Sequence, residues 1–395
     1  MGTAAQSLAI GWEVYDRTDQ ALALGFVGLV QAIPMLLFTL PAGYLADVFD
    51  RRKLMMWSLL GATISSLALG VASYYSAPIE WLYFLLFIDA TFLRIGWPAR
   101  SAILPLLVPG ELFENAVKWR TSLMQVTGVA GPAIGGFVIA INIHAAYFLS
   151  AVSSAAFIFF LSGMRLPEAP RSQRGNMIGQ VVEGLRFVWH RQILLGAVSL
   201  DLFAVLLGGA VYLLPIFARD IIDASALGLE PEEVLGWLRA APAAGALVMA
   251  LLLAYLPPIR RSGRILFWSV AGFGVATIVF GFSTNFWLSL VALALTGAFD
   301  NVSMVIRQVI TQMSTPNEMR GRVSAVSSIF IGSSNELGGF ESGLVAQLTT
   351  PVISVVAGGI GTLVVVGTWC GLFPKLLSLG PLSSLTSERL AGEVK

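Results

Sequence analysis

Apolar residues run along this chain in blocks of about twenty, each closed by a short polar or Pro/Gly-rich break. That is the spacing of helices crossing a hydrocarbon core about 30 Å thick. Twelve such blocks are read, over approximately 1–15, 21–46, 54–75, 81–107, 118–141, 145–164, 193–222, 233–256, 265–283, 286–312, 322–347 and 351–373. Runs such as Ile265 to Phe282 are apolar all round, and the ten-residue alternation of an outer-membrane barrel is absent. The pattern predicts an all-α polytopic membrane protein.

The polar breaks carry their charge unevenly. Arg51, Arg52 and Lys53 follow the second block, Lys118 and Arg120 the fourth, and Arg165, Arg171, Arg174, Arg186 and Arg191 the sixth. Arg260, Arg261 and Arg264 follow the eighth, Arg320 and Arg322 the tenth, and Lys375, Arg389 and Lys395 the last. The alternate loops hold only Arg17, Arg219 and Arg239. Lys and Arg collect on the cytoplasmic side, so both chain ends are expected there, in a multi-pass protein of a bacterial inner membrane. The aromatic residues Trp81, Tyr83, Phe286 and Trp287 fall at the opposite interface.

Composition narrows the classes further. Of 395 residues 56% are hydrophobic and 12% charged, about half the charge of a soluble domain. A net charge of +1 with no broad basic patch sets nucleic acid aside. One cysteine, Cys370, and two histidines, His144 and His190, give no disulfide, no expected metal site and no compact catalytic set. No G-x-x-x-x-G-K-S/T run is present for nucleotide drive, so neither a cofactor nor enzyme activity is expected.

The chain repeats itself. Arg100, Pro109 and Glu111 recur as Arg307, Pro316 and Glu318 at an offset of 207, and Tyr44-Leu45, Trp57-Ser58 and Gly61 recur as Tyr255-Leu256, Trp268-Ser269 and Gly272 at 211. An offset of six helices keeps both halves in the same orientation, a parallel repeat. The expected organisation is a six-helix bundle over 1–164, a cytoplasmic linker over 165–192, a second bundle over 193–373 and a cytoplasmic tail over 374–395. In the linker, Met177, Val181, Leu185 and Val188 recur at helical spacing and predict an amphipathic helix on the inner surface. Mapped back by the repeat, the first span is expected to be truncated: its 14 or so residues cover about 21 Å of the roughly 30 Å core.

The loop Gly43 to Lys53, GYLADVFDRRK, resembles the signature loop G-x-L-A-D-R-x-G-R-R/K of the major facilitator superfamily. Gly43, Leu45, Ala46, Asp47, Arg51 and Arg52 match, whereas Val48 and Asp50 replace a basic residue and a glycine. Gly43 is expected to let a helix approach, and Asp47 to accept bonds from a neighbouring helix N-terminus as a latch. The second copy, Pro257 to Arg264, has no such aspartate. GVAGPAIGG, Gly128 to Gly136, resembles the G-P-x-x-G-G motif of proton-coupled exporters through Gly131, Pro132, Gly135 and Gly136, with Thr127 where a further glycine is usual. Ordinary small-residue packing is the alternative account of that stretch. Trp97 to Pro109 and Thr315 to Val326 resemble the exporter branch that includes the enterobactin siderophore exporter.

The resemblance implies the major facilitator fold, with spans 1, 4, 7 and 10 lining a central cavity. Asp89, Arg94, Asp201 and Asp300 lie on those spans, and Glu336 and Glu341 on span 11. Ionisable groups at membrane depth are functional candidates, and a buried carboxyl can carry a proton. Asp89 and Arg94, five residues apart, point about 140° away from each other on a helix, so their partners are expected on other helices. Arg100 and Arg307 are expected to pair at the inner gate with Glu111 and Glu318. The expected activity is proton-coupled efflux of a small drug-like or siderophore-like amphipath by alternating access, from a monomer in the lipid bilayer. An importer of the same fold and a non-transporting remnant are the alternatives.

Overall fold

A computed structural model describes residues 1–164, 177–257, 259–316 and 319–381, except for the side chains of nine residues, among them Asp47, Glu114 and Met177. All regular structure in them is helical. The helices are α1 Gly2–Thr18, α2 Ala21–Val48, α3 Arg51–Tyr74, α4 Ile79–Leu107, α5 Gly110–Ile141, α6 Ile143–Gly163 and α7 Met177–Trp189. They continue with α8 Gln192–Leu207, the short turn α9 Leu214–Ile216, α10 Pro231–Tyr255, α11 Ser262–Phe282, α12 Phe286–Met313, α13 Arg320–Leu348, α14 Pro351–Leu372 and α15 Pro374–Leu377. Among the described residues nine helices are long and apolar enough to cross a membrane; α1, α4 and α13 are not among them. α1 has 17 residues, and α4 and α13 carry several of the charged candidates.

Short polar side chains close the helix starts. Asp50 accepts from the Lys53 amide at 3.0 Å and starts α3, so the aspartate standing where the signature loop has glycine acts as an N-cap. Asn142 caps α6, Asn285 caps α12 and Thr350 caps α14 in the same way. α5 starts at Gly110, eight residues before the expected break at Lys118. Pro109 stands at its N-cap and Glu111 in its first turn, and the charges at Lys118 and Arg120 ride on a helix longer than its apolar block. The seventh span is interrupted: after α8 a 3₁₀ turn covers Ala210–Leu213, and after α9 a π turn covers Phe217–Ile221.

The described chain separates into two compact units, residues 1–175 with 214–240, and residues 176–213 with 241–395. This differs from a division at 164 and 193, because the segment 214–240 packs with the first unit. Backbone proximity explains the difference: a Cβ on Gly136 would stand 2.7 Å from Gly236 Cα.

Inside the first unit α3 packs on α4 and α6, α2 on α4, and α1 on α5 and α6. Inside the second, α11 packs on α12 and α14, and α8 on α13 and α14. The repeat is visible in the seams. Gly61 of α3 lies under the ring of Phe92 of α4, and Gly272 of α11 lies under the ring of Phe299 of α12, the glycines 211 apart and the rings 207 apart. Lipid supplies no hydrophobic drive between helices, so close backbone approach at small residues carries the packing. At Gly245 and Gly297 a Cβ would stand 1.7 Å from the Ala294 carbonyl oxygen and 1.8 Å from that of Pro242. Large apolar residues such as Leu37, Ile64, Phe159 and Val364 are exposed, as a lipid solvent allows.

Two expectations change here. Among the described residues nothing lies within 4 Å of a Cβ on Gly43, so no close helix approach is seen there within the first unit. α7 packs on α13 through Val181, Gly184 and Val188, and Glu183 meets Arg322 at 2.7 Å, while Leu185 is exposed. A neighbouring helix, α13, therefore covers much of the stripe assigned to the membrane surface, and the stripe runs through Gly184 in place of Leu185. Of that stripe, the Met177 side chain lies outside the described residues, as do residues 165–176 of the linker and 382–395 of the tail.

Candidate functional site: buried polar networks in two helical units

α1 carries Gln6, Glu13 and Arg17 at spacings of seven and four, which places them on one face of the helix. On that face Gln6 donates to Asp89 of α4 at 3.0 Å, and Ser65 of α3 donates to the other oxygen of Asp89 at 2.8 Å. Ser66 in turn donates to the Gln6 carbonyl oxygen at 2.7 Å and lies 3.4 Å from Ser150 of α6. All five side chains are buried, and Asp89 is only 4% exposed. Among the described residues Asp89 thus meets neutral donors and no cation.

Two turns along α1, Glu13 is 2% exposed, accepts from the Tyr147 hydroxyl at 2.6 Å and pairs with Arg17. Arg17 also donates to the carbonyls of Ser73 and Ala77 at 2.9 Å each, tying α1 to the end of α3. Beyond it Arg219 stands 4.4 Å above the Tyr15 ring, pairs with Asp19, and reaches Asp220 at 3.0 Å and Asp16 at 3.7 Å. Tyr15 donates its hydroxyl to Asp220. Residues of α1 and of the π turn at 217–221 are joined by this cluster within the first unit.

The second unit holds its own buried charges. Arg307 of α12 pairs with Asp201 of α8, lies 3.6 Å from Asp300 on its own helix, and donates Nε to the Ser303 carbonyl at 3.3 Å. Asp201 is 4% exposed, whereas the Asp300 side chain is about half accessible at 49%. Such a pair is held in place because removal of either partner leaves an unpaired charge in a medium of low dielectric. Glu336 of α13 accepts from the Tyr212 hydroxyl. Among the described residues no group of three His, Cys, Asp or Glu could hold a metal ion.

A family model described as transmembrane secretion effector matches residues 1–387. The chain belongs to that family, within the major facilitator superfamily. The transporter is 28% identical over 360 residues to the multidrug efflux pump Tap of Mycolicibacterium fortuitum, with 88% of this chain and 86% of that one covered. It is 26% identical over 361 residues to the enterobactin exporter EntS of Shigella dysenteriae serotype 1, covering 91% and 85% of the two chains. The crystal structure of the nucleoside transporter NupG superposes with a TM-score of 0.71 at 11% identity, over 94% of this chain and 99% of that one, which shows a shared fold.

Several sites expected from the sequence stand apart from one another in the transporter. Arg307 pairs with Asp201; Glu318, the inner-gate carboxylate expected for it, lies outside the described residues. Arg100 lies over the Phe157 ring at 5.3 Å, and Glu111, its expected partner, is exposed in the first turn of α5. The Asp47 side chain lies outside the described residues. Its neighbours make local ties: Arg51 to the Ala46 carbonyl at 3.4 Å, and Arg52 to the carbonyl of Ser162 at the end of α6. Gly131 and Gly135 receive Ala4 and Ala5 of α1, with Cβ distances of 2.9 and 3.0 Å, while Gly136 receives the 232–236 segment. Pro132 sits inside α5 between these contacts, and its carbonyl oxygen would lie 3.0 Å from a Cβ on Gly236. Arg94 lines a cavity with Arg100. Gln6, Glu13, Tyr147 and the Tyr15–Arg219 cluster were not foreseen, although the spacing of Gln6, Glu13 and Arg17 along α1 is a signal for the first two.

Proposed function

We propose that the transporter exports a small amphipathic compound in exchange for protons, by alternating access about a midplane site. In this reading twelve spans form two six-helix bundles, with both ends in the cytoplasm of a bacterial inner membrane, and a single chain carries the whole site. The names of its relatives, a multidrug efflux pump and an enterobactin exporter, support efflux of such compounds. The observation that carries proton coupling is Asp89, buried at mid-helix and hydrogen-bonded by Gln6 and Ser65. A carboxyl held by neutral donors exchanges its proton without stranding a cation, whereas a proton on Asp201 would leave Arg307 without its counter-charge. Asp89 is thus the coupling carboxylate, and Asp201 with Arg307 a structural pair beside Asp300.

Efflux of fluorescent dyes from cells producing the transporter is the test. A protonophore is expected to abolish it, and Asp89→Asn is expected to lower gradient-driven efflux at least about tenfold, while dye exchange across proteoliposomes without a gradient continues. Gradient-driven efflux undiminished in Asp89→Asn overturns the role of Asp89, and efflux indifferent to the protonophore overturns proton coupling.

A further inference from the structure

The arginines related by the repeat have different surroundings. Arg307 is held between Asp201 and Asp300. Arg100, 207 residues earlier, lies over the Phe157 ring and reaches an open cavity of about 280 Å³ lined by residues of α1 to α4. Thr3, Ser58, Leu93, Arg94, Trp97 and Arg100 are among the residues lining it, and none of its described lining residues is an Asp or Glu. The lining therefore combines two guanidinium groups, two hydroxyls and an apolar and aromatic wall.

We propose that this cavity binds the anionic head of an amphipathic molecule, a carboxylate, sulfonate or phosphate. This rests on the export reading above and narrows its substrate to acidic amphipaths. Guanidinium groups offer paired N–H donors in the geometry of a carboxylate or phosphate. The Arg100 guanidinium shares the lining with Leu93, Trp97, Met55 and Leu59, so an anionic head can pair with it while the apolar carbons next to that head lie on these side chains. The volume lies at the lower end of small-molecule sites, about 300 to 1,000 Å³, so it suits a headgroup or one ring and leaves the apolar body outside. An indole and a guanidinium in one lining also suit an aromatic acid, whose ring stacks while its acid group pairs. The same headgroup chemistry has two sources, a solute in transit and an anionic lipid.

The test is fluorescence anisotropy of carboxyfluorescein, an amphipathic anion, on the full chain in nanodiscs of phosphatidylcholine, with the cation rhodamine 123 as the charge control. Carboxyfluorescein is expected to bind at least about tenfold more tightly than rhodamine 123, Arg100→Gln to weaken it at least about tenfold, and Arg100→Lys, which keeps the charge but not the paired donors, to fall between the unaltered chain and Arg100→Gln. Thr3→Asp, which adds a carboxylate to the lining away from the Arg100 packing, is expected to weaken it as strongly, and Thr3→Asn to leave it unchanged. Replacing part of the lipid with phosphatidylglycerol separates the sources: competition assigns the cavity to a lipid headgroup, and its absence to a soluble anion. Equal binding of both dyes, or binding indifferent to both Arg100→Gln and Thr3→Asp, overturns the proposal. Protonophore-sensitive efflux of a panel of anionic and cationic dyes from cells producing the transporter separates the two readings, since efflux survives if only the anion site is wrong and is lost for every dye if the export reading fails.

Discussion

Arg307→Met is expected to lower the thermal midpoint of the detergent-solubilised transporter sharply, and Asp201→Asn added to it is expected to recover most of the loss. Arg307 is the counter-charge of a carboxylate that is 4% exposed. Removing one partner of a buried pair leaves the other desolvated and unpaired, at a cost of about 3–5 kcal/mol. Removing both charges deletes the attraction and the desolvation together, so the double variant loses less than the single one. Asp300, 3.6 Å from Arg307 on the same helix, also loses its neighbouring cation in the single variant. Thermal unfolding followed by size-exclusion of the fluorescently tagged protein reads the three midpoints. Equal midpoints for the single and double variants would rule out the ion pair as the cause.

Gly136→Ala is expected to cut the efflux rate at least about tenfold with the amount of protein in the membrane kept within about twofold. The methyl carbon would stand 2.7 Å from Gly236 Cα and 2.8 Å from the Glu232 carbonyl oxygen. Both are main-chain atoms, so no rotamer change relieves the clash, and α5 must separate from the 232–236 segment. That separation removes a packing arrangement of the first unit without touching a polar group, so transport fails before insertion does. Gly43→Ala is the control, because nothing lies within 4 Å of its Cβ. Initial efflux rates normalised to membrane protein decide the matter, and a Gly136→Ala rate equal to that of Gly43→Ala would show that the close approach is dispensable.

The helices were legible because a run of about twenty apolar residues needs no tertiary information to be recognised. Their edges were less so. Lys118 and Arg120 looked like a loop, yet α5 carries them as ordinary helical positions beyond its apolar stretch. The repeat was legible at Gly61 and Gly272, whose identity survives because a ring from the next helix fills each Cβ position. Partner choice was not. The pairing of Arg307 with Asp201, 106 residues away, was not foreseen, and nothing local to either residue encodes that distance. Glu13 was passed over because α1 was judged by its length, although a carboxylate seven residues after Gln6 and four before Arg17 completes a polar stripe. Asp89 was named correctly as a buried group, while its donors, Gln6 and Ser65, carry no charge and left no mark on a search for ionisable residues.

The chain has 40 glycines, and they divide by what lies over them. Gly245, Gly297 and Gly358 each press against a neighbour's carbonyl oxygen, at 1.7, 1.8 and 2.1 Å from a Cβ, whereas Gly163, Gly367 and Gly371 face open space. A screen that scores only the amount of compound exported therefore confounds two kinds of position. A glycine lost from a helix seam silences the protein as fully as a lost carboxylate, yet it offers no group to a solute or a proton. Only alleles that alter which compounds are exported, and not merely how much, carry information about recognition.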